Sequence, residues 1–126
     1  MNARSWGAHF NLQKDDCQFK CIEFPDGLLI RTREQEEFLT LNGIQTQSSK
    51  VYNLIGEVGA LRELGVDILR VSPQSQHTPE LLEVFRARIG GMLDAAAARS
   101  RLAALEVAAP CNGFWYGRPG LDQIAA

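Results

Sequence analysis

The stretch Ser49-Lys50-Val51-Tyr52-Asn53-Leu54-Ile55-Gly56-Glu57-Val58-Gly59-Ala60-Leu61-Arg62-Glu63-Leu64-Gly65, followed at once by Val66-Asp67-Ile68-Leu69-Arg70-Val71-Ser72-Pro73, decides the fold class. Val51, Leu54, Ile55, Val58 and Leu61 recur at the spacing of one helical face, and Ser48 or Ser49 offers a capping oxygen. Gly65 stands where a helix ends in a left-handed residue. These signals predict a helix from about Ser49 to Leu64. Val66 to Val71 is mostly apolar and β-branched and is closed by Ser72-Pro73, which predicts a buried strand. Leu54, Val58, Leu61 and Ile68 are then expected to pack together. Helix, glycine and buried strand in succession form an α/β pattern.

Beyond this stretch, Thr78-Pro79-Glu80 opens a second helix, with a hydroxyl, a proline suited to the first turn and an acid near the positive end of the dipole. Leu81, Leu82, Phe85 and Ile89 give that helix its apolar face. Gly90-Gly91 breaks it, and Met92 to Val107 is alanine-rich and helical in propensity up to the stop at Pro110. The tail, Cys111-Asn112-Gly113-Phe114-Trp115-Tyr116-Gly117-Arg118-Pro119-Gly120, has the composition of an ordered loop that packs back on the body.

Towards the N-terminus, Cys21-Ile22-Glu23-Phe24 and Leu28 to Thr32 flank Pro25-Asp26-Gly27, a hairpin signal. Arg33 to Glu37 suits an exposed connection, and Phe38 to Leu41 a further strand before Asn42-Gly43. The first twenty residues scatter Trp6, Phe10, Leu12 and Phe19 without a period and read as loop. The chain is thus expected to be one α/β domain or fragment over 1–126. Its parts are a cysteine-bearing loop (1–20), a β-meander (21–47), a helix-strand-helix segment (48–107) and an ordered tail (108–126).

With 126 residues and 45% hydrophobic content the chain can bury a real core. A net charge of -2 supplies no basic field to gather nucleic acid or an anionic membrane. No apolar run has signal-peptide or transmembrane length, so a cytoplasmic location without a transmembrane segment is expected. Three cysteines, two of them four residues apart, do not form the even framework of a small secreted domain.

Cys17 and Cys21 form a C-x-x-x-C pair, which spacing alone favours as two incidental thiols over one corner of a metal site. A radical S-adenosylmethionine signature needs a third cysteine at position 24, which is Phe24. Zinc would need four donors from Cys17, Cys21, Cys111, His9 and His77, without the usual paired spacing. Asp15 and Asp16 beside Cys17 would raise a free thiol's pKa, and a bound cation would reverse that balance. Ser72, Ser75 and His77 lack a glycine-framed nucleophile elbow, so no protease site is expected. Ser72, Gln74 and Gln76 follow a predicted strand and could line a binding edge. Phe114, Trp115 and Tyr116 suit either core packing or stacking on an aromatic ligand.

The run His9-Phe10-Asn11-Leu12-Gln13-Lys14-Asp15-Asp16-Cys17-Gln18-Phe19-Lys20-Cys21, with Pro25-Asp26-Gly27-Leu28, resembles the cysteine region of UbiV-type proteins of the collagenase-like peptidase family. Leu39 to Ser48, Tyr52-Asn53-Leu54, Asp67 to Gln74 and Cys111 to Trp115 extend the resemblance in order. It implies the C-terminal portion of a TIM-barrel-like α/β fold with an inserted β-hairpin or meander, incomplete as an independent barrel, since such relatives are roughly twice this length. It further implies a 4Fe–4S cluster, with Cys17 and Cys21 as cofactor and metal ligands, in an iron–sulfur component of oxygen-independent ubiquinone ring hydroxylation. The implied partners are a UbiU-like paralogue and a ubiquinone precursor as small-molecule ligand. A third cluster ligand position falls near Arg4-Ser5-Trp6, where this chain has no cysteine, and the fourth belongs to an N-terminal half of such relatives that is absent here, so the cluster is expected to be incomplete or absent. The alternative expectation is a catalytically inactive binding or interaction module of the same family.

Overall fold

The computed structural model describes residues 7–13, 16 and 18–124. The chain divides into two compact units, Met1–Ser49 and Lys50–Ala126. The class is mixed α and β, with a small antiparallel sheet and helices, and no closed barrel is formed among the described residues.

The first unit is built on a meander of β1 (Leu28–Arg31), β2 (Glu37–Asn42) and β3 (Gln45–Ser48), in sheet order β1-β2-β3 and antiparallel throughout. Gly43 and Ile44 connect β2 to β3 in a two-residue turn, and the φ of 56° at Gly43 is why glycine serves there. Arg31 pairs opposite Glu37 across an irregularity in the ladder and forms an ion pair with it at 3.1 Å. Leu41 is the buried residue of β2.

The expected strand at Cys21–Phe24 is instead a 3-10 turn, Lys20–Glu23. Gln18 and Phe19 both take left-handed conformations, with φ of 47° and 51°, and reverse the chain just before it. The Phe24 N–H then bonds Cys21 O, and the Gly27 N–H bonds Phe24 O. Pro25-Asp26-Gly27 therefore leads from a turn into β1 and does not join two strands. Gly27, at φ 89°, packs directly on Thr40 and Leu41, so a side chain there would collide with β2.

In the second unit β4 (Val51–Tyr52) pairs in parallel with β5 (Pro110–Cys111). Between them run helix α1 (Val58–Glu63), an extended segment, helix α2 (Thr78–Ile89) and helix α3 (Ala95–Ala103). The first predicted helix is thus much shorter than the span from Ser49 to Leu64. Val51 N–H and Asn53 N–H donate to Ala109 O and Cys111 O, which commits this stretch to a ladder. Asn53 Oδ1 accepts from the Ile55 N–H at 2.9 Å, an Asx turn that competes with helix initiation. Ser49 caps nothing: it is buried, and its hydroxyl has no hydrogen-bond partner among the described residues.

The predicted strand at Val66–Val71 is also absent, since residues 66–74 form neither helix nor ladder. Ile68 is 85% exposed, and the neighbouring Leu69 packs on the core instead. Leu54 and Leu61 are only half-buried. The core is Ile55, Val58, Leu81, Val84, Ala98 and Leu102, so Val58 alone of the four expected core residues belongs to it.

The helix boundaries in the second half follow their chemistry. Gly65, at φ 80°, follows α1, and Pro79 lies in the first turn of α2. Gly90 and Gly91 separate α2 from α3, and Asp94 Oδ1 caps α3 by accepting from the Ala97 N–H at 2.7 Å. The alanine-rich helix is shorter than the span from Met92 to Val107.

Leu102 is 1% exposed at the centre of this core. Leu102→Ala is expected to cost about 2 to 5 kcal/mol in denaturant unfolding. A loss below about 0.5 kcal/mol would show that the helices do not meet there.

Candidate functional site

Of the two cysteines singled out by the sequence, Cys17 lies outside the described residues. Cys21 is half-buried on the turn Lys20–Glu23, carries a free thiol, and is flanked by a Lys20–Glu23 ion pair of 2.8 Å. The ring of Phe24 lies 5.9 Å from that of Phe10, which in turn meets His9 edge-on at 4.8 Å. These contacts steady the turn that presents Cys21. No group of three or more His, Cys, Asp or Glu residues converges as a metal site among the described residues. Four thiolates close a 4Fe–4S cluster, and among the described residues only Cys21 and Cys111 carry free thiols.

Cys111 is different in kind. It is buried in β5, and burial raises its thiol pKa, an effect that the nearby Lys50 ammonium partly offsets. A thiol held protonated in this way is a packing group and a poor nucleophile. The next two residues act as a clamp. Asn112 Nδ2 donates to Ile124 O at 3.0 Å, and Asn112 Oδ1 accepts from the Ile124 N–H at 2.7 Å. The N–H groups of Asn112 and Gly113 both bond Asp122 O at 2.9 Å. Gly113 packs so closely on the Pro119 carbonyl that no side chain fits. Cys111-Asn112-Gly113 thus ties the tail to β5.

The polar loop after Val66–Val71 is likewise occupied internally. Gln74 Nε2 donates to Gln76 O at 2.7 Å and to Leu105 O at 2.6 Å, while Thr78 Oγ1 donates to Gln74 O at 3.0 Å. These bonds give Gln74 and Thr78 structural roles. Phe114 is 74% exposed, whereas Trp115 and Tyr116 are half-buried in the 3-10 turn Gly113–Tyr116.

What the structure does bring together is a set of groups that sequence reasoning did not join. A cleft of about 170 Å³ in the second unit is lined by Asn53, Glu57, Arg99, Glu106, Asn112 and Gln123, among others. Glu57 is buried, and its Oε1 accepts from Tyr116 Oη at 2.7 Å. That hydrogen bond, with desolvation and the Glu57 charge, raises the Tyr116 pKa, and Arg99 opposes the rise. Arg99 lies against Gly56, where any side chain would meet its guanidinium. Glu106 Oε1 accepts from Asn53 Nδ2 at 2.5 Å.

Burial raises the Glu106 pKa, and the Asn53 hydrogen bond offsets part of that rise. The cleft therefore combines one carboxylate tied to a phenol, one carboxyl disposed to keep its proton, and one guanidinium. Such a lining can accept hydrogen bonds from a small molecule bearing hydroxyl or amine groups. Its members lie up to 70 residues apart, from Asn53 to Gln123, and no local motif joins them. Gly56, a glycine inside an otherwise helical pattern, was the one local sign of a close approach.

The raised Glu106 pKa has a direct consequence for stability. In the unfolded chain Glu106 loses its proton near the ordinary value of about 4.3, whereas the folded chain still holds it there. This contribution is fully present below that value and is lost as pH rises through the higher folded pKa. Glu106→Gln should therefore flatten the fall of unfolding free energy with rising pH just above about pH 4.3. Identical pH profiles in urea unfolding would show that Glu106 is solvated.

A scan against protein-family models finds no match to this chain, and no solved structure matches it.

Proposed function

We propose that this chain is the C-terminal part of an iron–sulfur component of oxygen-independent ubiquinone ring hydroxylation, acting beside a UbiU-like paralogue. The carrying observation is the ordered set of motifs from His9 to Trp115, with Cys17 and Cys21 at its head. The half-buried thiol of Cys21, on a turn steadied by aromatic contacts, suits a ligand offered at the edge of the fold. On this reading Cys17 and Cys21 supply part of a 4Fe–4S ligand set. One further ligand position falls at Arg4-Ser5-Trp6, which holds no cysteine, so on this reading the ligand set of the chain is incomplete.

The same reading treats the second unit as part of a TIM-barrel-like fold. The parallel β4–β5 pair and the helices between its strands support it. In a barrel the extended residues 66–71 would be a further strand. A cytoplasmic location belongs to this proposal; no described helix is long and apolar enough to cross a membrane.

The cleft around Glu57, Arg99 and Glu106 favours a second reading, a catalytically inactive binding module of the same family. It needs no cluster and uses groups that the chain itself holds together.

Anaerobic reconstitution with iron and sulfide, followed by metal analysis, separates the readings. The iron–sulfur reading predicts bound iron below four per monomer that is lost on Cys17→Ala or Cys21→Ala. About four irons per monomer would overturn the incomplete ligand set. A colourless, iron-free protein indifferent to both substitutions would overturn the iron–sulfur reading and leave the binding module.

A further inference from the structure

A second cleft, of about 160 Å³, opens beside α1 and the end of α2, and Gly59, Arg62, Arg88, Gly90 and Gly91 are among its lining residues. Its two charged lining residues are both arginines, and no acid lines it. Arg62 is pinned in place: its Nη2 donates to Ile89 O at 2.7 Å. The Nε–H of Arg88 is buried and has no acceptor among the described residues. The ion pairs found for other arginines, Arg31–Glu37 and Arg86–Glu83, include neither of these two. A guanidinium N–H removed from water without an acceptor is costly, and an oxyanion in the cleft would remove that cost.

We propose that this cleft is an oxyanion site that takes a phosphate monoester group between Arg62 and Arg88. The two guanidinium charges match the double negative charge of a phosphate monoester. The planar guanidinium fork matches the spacing of its oxygens. Side chains built at Gly59 and Gly91 would meet nothing within 4 Å, so both positions leave open space along the cleft. Gly91 takes a φ of 76°, which explains glycine there and leaves its backbone uncovered. The carbonyl end of α2 carries partial negative charge, which opposes an anion. Arg62 offsets this where it matters, because its guanidinium covers the Ile89 carbonyl. The size of the cleft, about 160 Å³, suits a phosphoryl group with a short organic stem.

The test is titration of the isotope-labelled full chain with inorganic phosphate, followed by amide and arginine Nε–H resonances, against chloride at matched ionic strength. The proposal expects saturable phosphate shifts at Gly59, Gly90, Gly91 and Arg88 Nε. Arg88→Met should weaken binding by about ten- to a hundredfold, the range for a lost charge-assisted contact, and Arg88→Lys should weaken it less. Unchanged resonances of Ile55 and Leu102 verify the fold; if Arg88→Met unfolds, Arg88→Lys and Arg62→Lys are read in the same way. Equal shifts with chloride, or phosphate affinity indifferent to the substitutions, would overturn the proposal.

Discussion

The second unit depends on one closure: the parallel pairing of Val51–Tyr52 with Pro110–Cys111, extended by the amide of Asn112 to the backbone of Ile124. Bringing together ends so far apart in sequence carries an entropic cost that grows with loop length, although slowly. A two-residue ladder cannot meet that cost by itself. The burial of Ile55, Val58, Leu81, Val84, Ala98 and Leu102 between its strands does so, and the ladder fixes where the chain enters and leaves that core. Asn53 and Glu106 then meet across the same closure, as do Glu57 and Tyr116. The cleft is therefore a product of the closure, and its polar groups are no more stable in position than the strands beneath them.

Legibility from sequence followed the range of the interactions. Gly65 after α1, Pro79 in the first turn of α2 and the Gly90-Gly91 break all act within a turn or two of their own position, and each behaves as its residue type dictates. The stretch from Ser49 to Glu57 misled because its apolar spacing is helical while its hydrogen bonds go elsewhere. Val51 and Asn53 bond a segment some 58 residues away, and periodicity cannot register that. The run Val66 to Val71 has the composition of a buried strand, but no described strand pairs with it, so Ile68 faces solvent. Composition states what a segment can bury, and a neighbour must still be present to cover it.

The candidate site divides in the same way. Cys21 was legible because a thiol near a second thiol is a local pattern, whereas Glu57, Arg99 and Glu106 are unremarkable in their own surroundings and gain meaning only when the fold collects them. Cys111-Asn112-Gly113 stood out as a motif without an assigned chemistry. Its geometry explains it structurally: a buried thiol, a two-way amide clamp and a glycine where no side chain has room. A run that looks chemical in sequence can thus hold a tail in place, while its Asn112 also lines the cleft.

Native-state hydrogen exchange in Asn112→Ala tests this account of the closure most directly. The amides to follow are Asn53, which bonds Cys111 O, Gly113, which bonds Asp122 O, and Ile124, which bonds Asn112 itself. If the clamp supports the ladder, all three lose protection together, while Leu81 and Ala98 within the helices lose less. If Ile124 alone loses protection and Asn53 exchanges as before, the ladder stands without the clamp and the account is wrong.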